Sequence, residues 1–230
     1  MPCCLNCESE NVFHYDDARD IEYCSNADSY SYYRCNDCNV LFIHPVPSDQ
    51  LSVIYPPNYY SFSGSTSFAH KIKAYLDRRL FKSLLKRIQS SSINVLDVGG
   101  GSGWLLDIIK RSDPRINITQ VVDIDKNAEQ TAIKNGHKYF CGRIEEFNGQ
   151  GKFDLILLLN LIEHVKSPLD VLVKLKDLLL PQGIILVKTP NYNSLDARLF
   201  KNKNWGGYHC PRHWVIFERE SFLQLAQKAG

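Results

Sequence analysis

A doubly wound α/β fold, preceded by a small cysteine-bearing module, is what this sequence predicts. Three observations carry that expectation. From residue 93 onward, short apolar runs alternate with amphipathic stretches of helical period. The first run leads into NVLDVGGGSGW (residues 94–104), where glycines at every second position follow a buried strand and one carboxylate. Six of the eight cysteines fall within the first 43 residues.

The module, residues 1–43, carries short polar-aromatic strand-like pieces such as Asn11-Val-Phe-His-Tyr15 and Val40-Leu-Phe-Ile43. Cys4-Leu-Asn-Cys7 and Cys35-Asn-Asp-Cys38 are two Cys-x-x-Cys turns separated by 27 residues. Such turns aim two thiolates each at one point, so Cys4, Cys7, Cys35 and Cys38 are the expected ligands of one structural zinc. A segment this short lacks the core to fold alone, and metal binding would supply its stability. Cys3 competes with Cys4 as ligand, Cys24 is spare, and a redox pair or a plain set of reduced thiols are the lesser readings.

Residues 44–92 form a connector. It opens with HPVPSDQ, passes through a turn-rich segment at 55–64, and ends in a basic stretch, 70–89. There Ile72, Tyr75, Leu76, Leu80, Leu84, Leu85 and Ile88 recur at helical spacing, which predicts a helix packed on the domain that follows.

Within residues 93–230 the pattern predicts strands over 95–98, 119–124, 139–142, 154–160 and 184–188, and helices over 104–111, 127–135 and 168–180. The last helix has Ser167 as N-cap, Pro168 at its first position and Asp170 at its third, with Pro181-Gln-Gly183 as the stop. Near-continuous apolar strands separated by helices indicate a parallel sheet covered on both faces, whose ligands bind at the carboxyl ends of the strands.

The glycine stretch is then the first strand-to-helix turn. Its spacing is Asp97-x-Gly99-x-Gly101-x-Gly103, and neither register satisfies G-x-G-x-x-G, because Trp104 or Leu106 stands where the last glycine belongs. Asp97 would repel a pyrophosphate and suits a ligand bearing an ammonium or sulfonium group. The second strand ends in Val121-Val-Asp123-Ile-Asp125, where Asp123 is placed to accept both hydroxyls of a ribose. Ile144 is an apolar wall for an adenine. Gly100, Asp125, Glu163 and His164 are read as turn, cap and loop-orienting residues.

Together Leu96-Asp-Val-Gly-Gly-Gly-Ser-Gly103, Val122-Asp-Ile-Asp125, Phe153-Asp-Leu-Ile156, Leu161-Ile-Glu-His-Val165, Leu180-Pro-Gln-Gly183 and Val187-Lys-Thr-Pro-Asn191 resemble the class I S-adenosylmethionine-dependent methyltransferases. The resemblance implies a Rossmann-like methyltransferase sheet over residues 93–230. It assigns Asp97 and Gly99 to Gly103 to the methionine part of the cofactor, Asp123 to the ribose, and Ile144 with Glu145 to the adenine, with Ile124 among the cofactor-binding residues. Asn160, after the fourth strand, joins the same set.

With the double Cys-x-x-Cys module and Tyr55-Pro-Pro-Asn-Tyr-Tyr60, the chain is similar to bacterial methyltransferases of sugar and natural-product pathways. Their tail implies an acceptor-side histidine, for which His213 is the match and His209 the reserve. Tyr59, Tyr60, Phe62, Trp205 and Tyr208 are aromatic residues for a lid or for the core. Such relatives continue into a final antiparallel strand pair, so the core is expected to lack that pair, with the strand at 184–188 left as an edge.

A net charge of +2 and the absence of a long apolar run argue against an obligatory nucleic-acid partner and against membrane insertion. A soluble, cytoplasmic enzyme acting on a small-molecule acceptor is expected, with a second copy of the chain as the partner for assembly. Two rivals stand beside it. An RNA methyltransferase would grip nucleic acid through the zinc module, with Lys201, Lys203 and the basic helix in support; a non-catalytic binding protein would keep the cofactor fold as a scaffold.

Overall fold

In the computed structural model, residues 2–55, 68–149, 151–200 and 205–230 are described. Tyr59, Tyr60, Phe62, Lys201 and Lys203 lie outside them. The chain begins with strands β1 (Val12–Arg19), β2 (Ser29–Cys35) and β3 (Leu41–His44), then helices α1 (Leu51–Ile54) and α2 (Phe68–Leu85). Next come β4 (Ile93–Val98), α3 (Trp104–Lys110), β5 (Ile116–Asp123), α4 (Lys126–Lys134), β6 (Lys138–Cys141) and β7 (Phe153–Leu159). The chain continues through α5 (Pro168–Leu178), β8 (Leu179–Lys188), α6 (Leu195–Phe200), β9 (Val215–Ile216) and α7 (Arg219–Ala229).

Compactness divides the chain at places other than residues 43 and 92. One unit comprises residues 62–159 and 173–188; the other joins 1–61, 160–172 and 189–230.

The first of these units is the expected parallel sheet, in the order β6-β5-β4-β7-β8. Every pairing in it is parallel. The order reverses beside β4, which makes its carboxyl end the switch point at which such sheets bind ligands. Its central strands read as near-continuous apolar runs because both faces are covered. Val95, Val121, Leu155 and Leu157 pack with Leu106 and Ile109 of α3, Ala132 of α4, Phe81 and Leu85 at the end of α2, and Ile88 just after it.

Two expectations for this unit need correction. The stop after α5 acts earlier, at Leu178, and Leu179 already pairs with Phe153. Pro181-Gln-Gly183 lies inside β8 as a register shift, with Gln182 at φ 66°. In α2, Ile72, Tyr75, Leu76 and Leu80 are 46 to 59% exposed, whereas Ala74, Phe81, Leu84 and Leu85 face the core. The inward stripe is therefore rotated from the one that a count of apolar residues selects, because Phe81 displaces Leu80 from the inner face. Among the described residues no helix is long and apolar enough to cross a membrane.

The second unit is built on an antiparallel sheet, β1-β2-β3-β9. Strand β9 comes from the far end of the chain and pairs Val215 and Ile216 with Phe42 and Leu41. The segment around it is tied in by the Tyr32 hydroxyl, which donates to the carbonyls of Tyr208 (3.2 Å) and His213 (3.0 Å), and by Tyr192, which donates to the Asn39 carbonyl at 2.6 Å. Trp205 and Tyr208 are core here, 6% and 3% exposed. Their polar ends bond to Asp196 (2.9 Å) and Asp16 (2.7 Å).

Candidate functional site

At the carboxyl end of β4 the backbone turns sharply. Gly99, Gly101 and Gly103 all take positive φ, 75°, 52° and 79°, which L side chains rarely adopt. At Gly101 a Cβ would meet nothing within 4 Å, so the loop borders open space there. The neighbouring Gly100 is more than the expected turn residue, because a Cβ at that position would come within 2.6 Å of the Asp97 carboxyl carbon. Its role is to give that carboxylate room.

Asp97 is 2% exposed, and its Oδ2 is buried without a hydrogen-bond partner among the described residues. Burial, with the charge of Asp123 as a lesser cause, pushes its carboxyl up to about 7. Asp123 ends β5 as expected. It accepts from the Gly101 N–H at 2.8 Å and from the Asp125 N–H at 2.9 Å, so one carboxylate both braces the glycine loop and faces the strand end. Asp125 caps α4 by accepting from the Asn127 N–H at 2.8 Å, which agrees with its structural reading.

Ile144 is buried in a single 3-10 turn, Glu145 beside it is exposed, and Ile124 is 72% exposed. Asn160 follows β7 directly, exposed, at φ 54°. Sequence reasoning missed His137. Its ring lies where a Cβ on Gly103 would come within 2.5 Å, and the Thr119 hydroxyl stands 2.8 Å from its Nδ1.

The other unit holds a second concentration of chemistry. The rings of His164 and His213 are 4.6 Å apart, those of His209 and His213 5.0 Å, and those of His164 and His209 6.2 Å. His213 Nδ1 donates to the Gly207 carbonyl at 2.8 Å, which leaves Nε2 with the lone pair, 3.8 Å from Glu163 Oε1. His164 Nδ1 lies 3.0 Å from the Arg212 carbonyl, an acceptor only, and 3.2 Å from the Tyr55 hydroxyl, so its Nε2 also carries the lone pair.

Burial keeps both rings neutral, pushing His164 down to about 4 and His213 well below its ordinary value. His209 is paired with Glu22 at 2.5 Å, and burial lowers it also. Glu163 is fully buried, its Oε2 accepting from the Thr189 hydroxyl at 3.0 Å. Glu163 and His164 thus join the histidines that the sequence did single out. Only the pairing of two remote segments could have revealed it.

Beneath this cluster Arg212 is fully buried and bonds to Asp20 (2.8 Å) and to the Ile54 carbonyl (2.6 Å).

In the same unit the four paired cysteines converge. Cys4 and Cys38 Sγ are 3.5 Å apart, Cys7 and Cys35 Sγ 3.6 Å, and all four lie within 4.8 Å of one another. Four thiolates on a tetrahedral ion at about 2.3 Å sit about 3.8 Å apart, so the set matches that geometry. The two turns repeat one design. Glu8 and Asn39, each directly after a second cysteine, take φ 61° and 55° and return their N–H groups to the carbonyls of Cys4 and Cys35. Cys3, exposed, donates its thiol to the Glu8 carbonyl and is not in the set.

Comparison with known proteins agrees with this architecture. A ubiquinone biosynthesis O-methyltransferase of Rhodopseudomonas palustris (strain BisB5) is 32% identical over 111 residues, covering 45% of this chain and 42% of the relative. The matched segment thus spans under half of that relative's length. The plantazolicin methyltransferase BpumL, in complex with a triazolic desmethylPZN analog and SAH, superimposes with a TM-score of 0.57 at 20% identity over 77% of this chain and 71% of its own. The N-methyltransferase NodS from Bradyrhizobium japonicum WM9, in complex with S-adenosyl-L-homocysteine, gives 0.51 at 14% identity over 76% and 81%. These likenesses reproduce the Rossmann-like fold. The family model described as a methyltransferase domain matches residues 68–230, more than half of the chain, and the chain therefore belongs to the methyltransferase domain family.

Proposed function

We propose that this chain transfers a methyl group from S-adenosylmethionine to a small-molecule acceptor of the sugar, nucleotide-sugar or natural-product class. The observation that carries the reading is Asp97, a buried carboxylate beside a glycine turn open to a ligand. A buried anion without a partner is costly, and a cationic ligand group offsets that cost. When bound, the cofactor supplies an electrophilic methyl group on a sulfonium.

The chain's own residues do the rest. Asp97 and the turn Gly99 to Gly103 hold the methionine part, Asp123 with Ile124 the ribose, and Ile144 with Glu145 the adenine, with Asn160 closing the set. The acceptor's proton leaves to the histidine cluster, His213 first and His209 in reserve, as neutral rings can accept it. Cytoplasm is the proposed compartment and a second copy the proposed partner.

Calorimetry with S-adenosylhomocysteine on wild type and Asp123→Ala tests the reading. Asp123 accepts from one N–H of the loop, that of Gly101, and from the Asp125 N–H, in addition to its proposed ribose contact, so affinity is expected to fall about 100-fold. A folded wild type that binds neither cofactor nor product would leave the scaffold reading in its place.

The four cysteines are proposed to hold one structural zinc. Elemental analysis is expected to find about one zinc per chain in wild type and none in Cys38→Ser, with the latter losing the β1-β2-β3 sheet first on heating. A wild type folded and free of zinc would overturn this assignment.

A further inference from the structure

We infer that Glu163, His164 and His213 form a binding site for one divalent cation, distinct from the four cysteines. One ligand atom from each of the three lies within 4.8 Å of the others. Two imidazoles and one carboxylate suit first-row divalent ions with nitrogen and oxygen preference, of the Mn2+, Fe2+ or Zn2+ kind.

The second layer of contacts carries the argument further than proximity does. Metal-bound histidines hold their other ring N–H on a carbonyl or carboxylate, which fixes ring and tautomer. Both histidines already do so here, His213 on Gly207 and His164 on Arg212. Glu163 is likewise oriented, its Oε2 taken by Thr189 and its Oε1 turned toward His213 Nε2. That 3.8 Å separation is too long for a hydrogen bond and approaches the spacing of about 3 Å between neighbouring ligands on an ion with bonds near 2.1 Å.

The backbone supports the same arrangement. The Trp214 N–H donates to the Glu163 carbonyl at 2.8 Å, pinning the two segments that carry the ligands at adjacent residues. A loaded cation occupies the lone pair of His213. Under the methyl-transfer reading, proton acceptance then falls to His209, which is not in the ligand set.

The test is Mn2+ binding to the zinc-replete full chain, followed by electron paramagnetic resonance, with S-adenosylhomocysteine affinity measured on every sample. Wild type is expected to take up one Mn2+ per chain. Glu163→Gln and His213→Gln should each weaken binding at least tenfold, while His209→Gln leaves it unchanged. Thr189→Val, which removes only the contact that orients Glu163, should weaken it by a smaller factor and guards against a ligand variant that fails to fold. Wild type that binds S-adenosylhomocysteine but no Mn2+ overturns the site, as does Mn2+ uptake unchanged in both ligand variants. Mn2+ uptake lost as expected, in a chain that binds no S-adenosylhomocysteine, upholds the cation site and removes the methyl-transfer reading instead.

Discussion

Replacing Asp97 by asparagine is expected to stabilise the ligand-free protein at pH 8 while weakening S-adenosylhomocysteine binding at least 100-fold. The folded-state carboxyl is pushed up to about 7 by burial. A raised carboxyl means that the folded chain binds more protons than the unfolded one between the ordinary carboxylate range and pH 7. Stability contributed by this group is therefore lost as pH rises through that window. At about 1.4 kcal/mol per tenfold change in proton affinity, the loss reaches about 4 kcal/mol above pH 7. Asparagine does not ionise, so the variant should melt higher than wild type at pH 8 and level with it near pH 4. Thermal scans at the two pH values check this. Equal melting at pH 8 would mean that Asp97 is solvated and that the cationic-ligand argument lacks its basis. Wild-type cofactor affinity should rise between pH 6 and 8, as the carboxylate becomes available to a positive group.

The second large effect is expected at Arg212. Its guanidinium and the Asp20 carboxylate are both fully shielded from solvent, 2.8 Å apart. Asp20 is held well below the ordinary carboxylate range, by the Arg212 and Ser25 side chains and two backbone N–H groups that outweigh its burial. Arg212→Met leaves that carboxylate buried and unmatched, a loss of about 3–5 kcal/mol. Adding Asp20→Asn should recover part of the loss, and urea melts of the single and double variants measure it. A lowered carboxyl contributes stability that is present above the unfolded value and lost as pH falls, so the wild-type advantage over the double variant should shrink below pH 4. An Arg212→Met variant as stable as wild type would show that the pair is dispensable.

What could be read from the sequence follows how local each signal is. The turn at Gly99 to Gly103, Asp123 at a strand end and Asp125 as a cap all depend on neighbours within a few residues. Their placement is as expected. The paired cysteines were legible because each Cys-x-x-Cys turn is itself local. The histidine cluster was not, since Glu163 and His213 meet only through the contact between residues 163 and 214. Gly100 was misread for a similar reason, because its missing Cβ serves a side chain three residues back and not its own φ. The inner face of α2 was misjudged because apolar spacing does not say which of two adjacent stripes, that of Leu80 or of Phe81, meets the core.

The antiparallel sheet carries a consequence for synthesis. Strand β9, which covers the β3 edge, is made only after the parallel sheet that separates the two in the chain. Asp20 waits for Arg212, 192 residues later. At about 5–20 residues per second, that is on the order of ten seconds or more of translation. Through this interval the nascent chain presents an apolar strand, Leu41 to Ile43, paired with β2 on one side only, to anything able to extend a sheet. A metal ion captured by cysteines within the first 38 residues would let the cell hold that segment in order until its closing strand emerges.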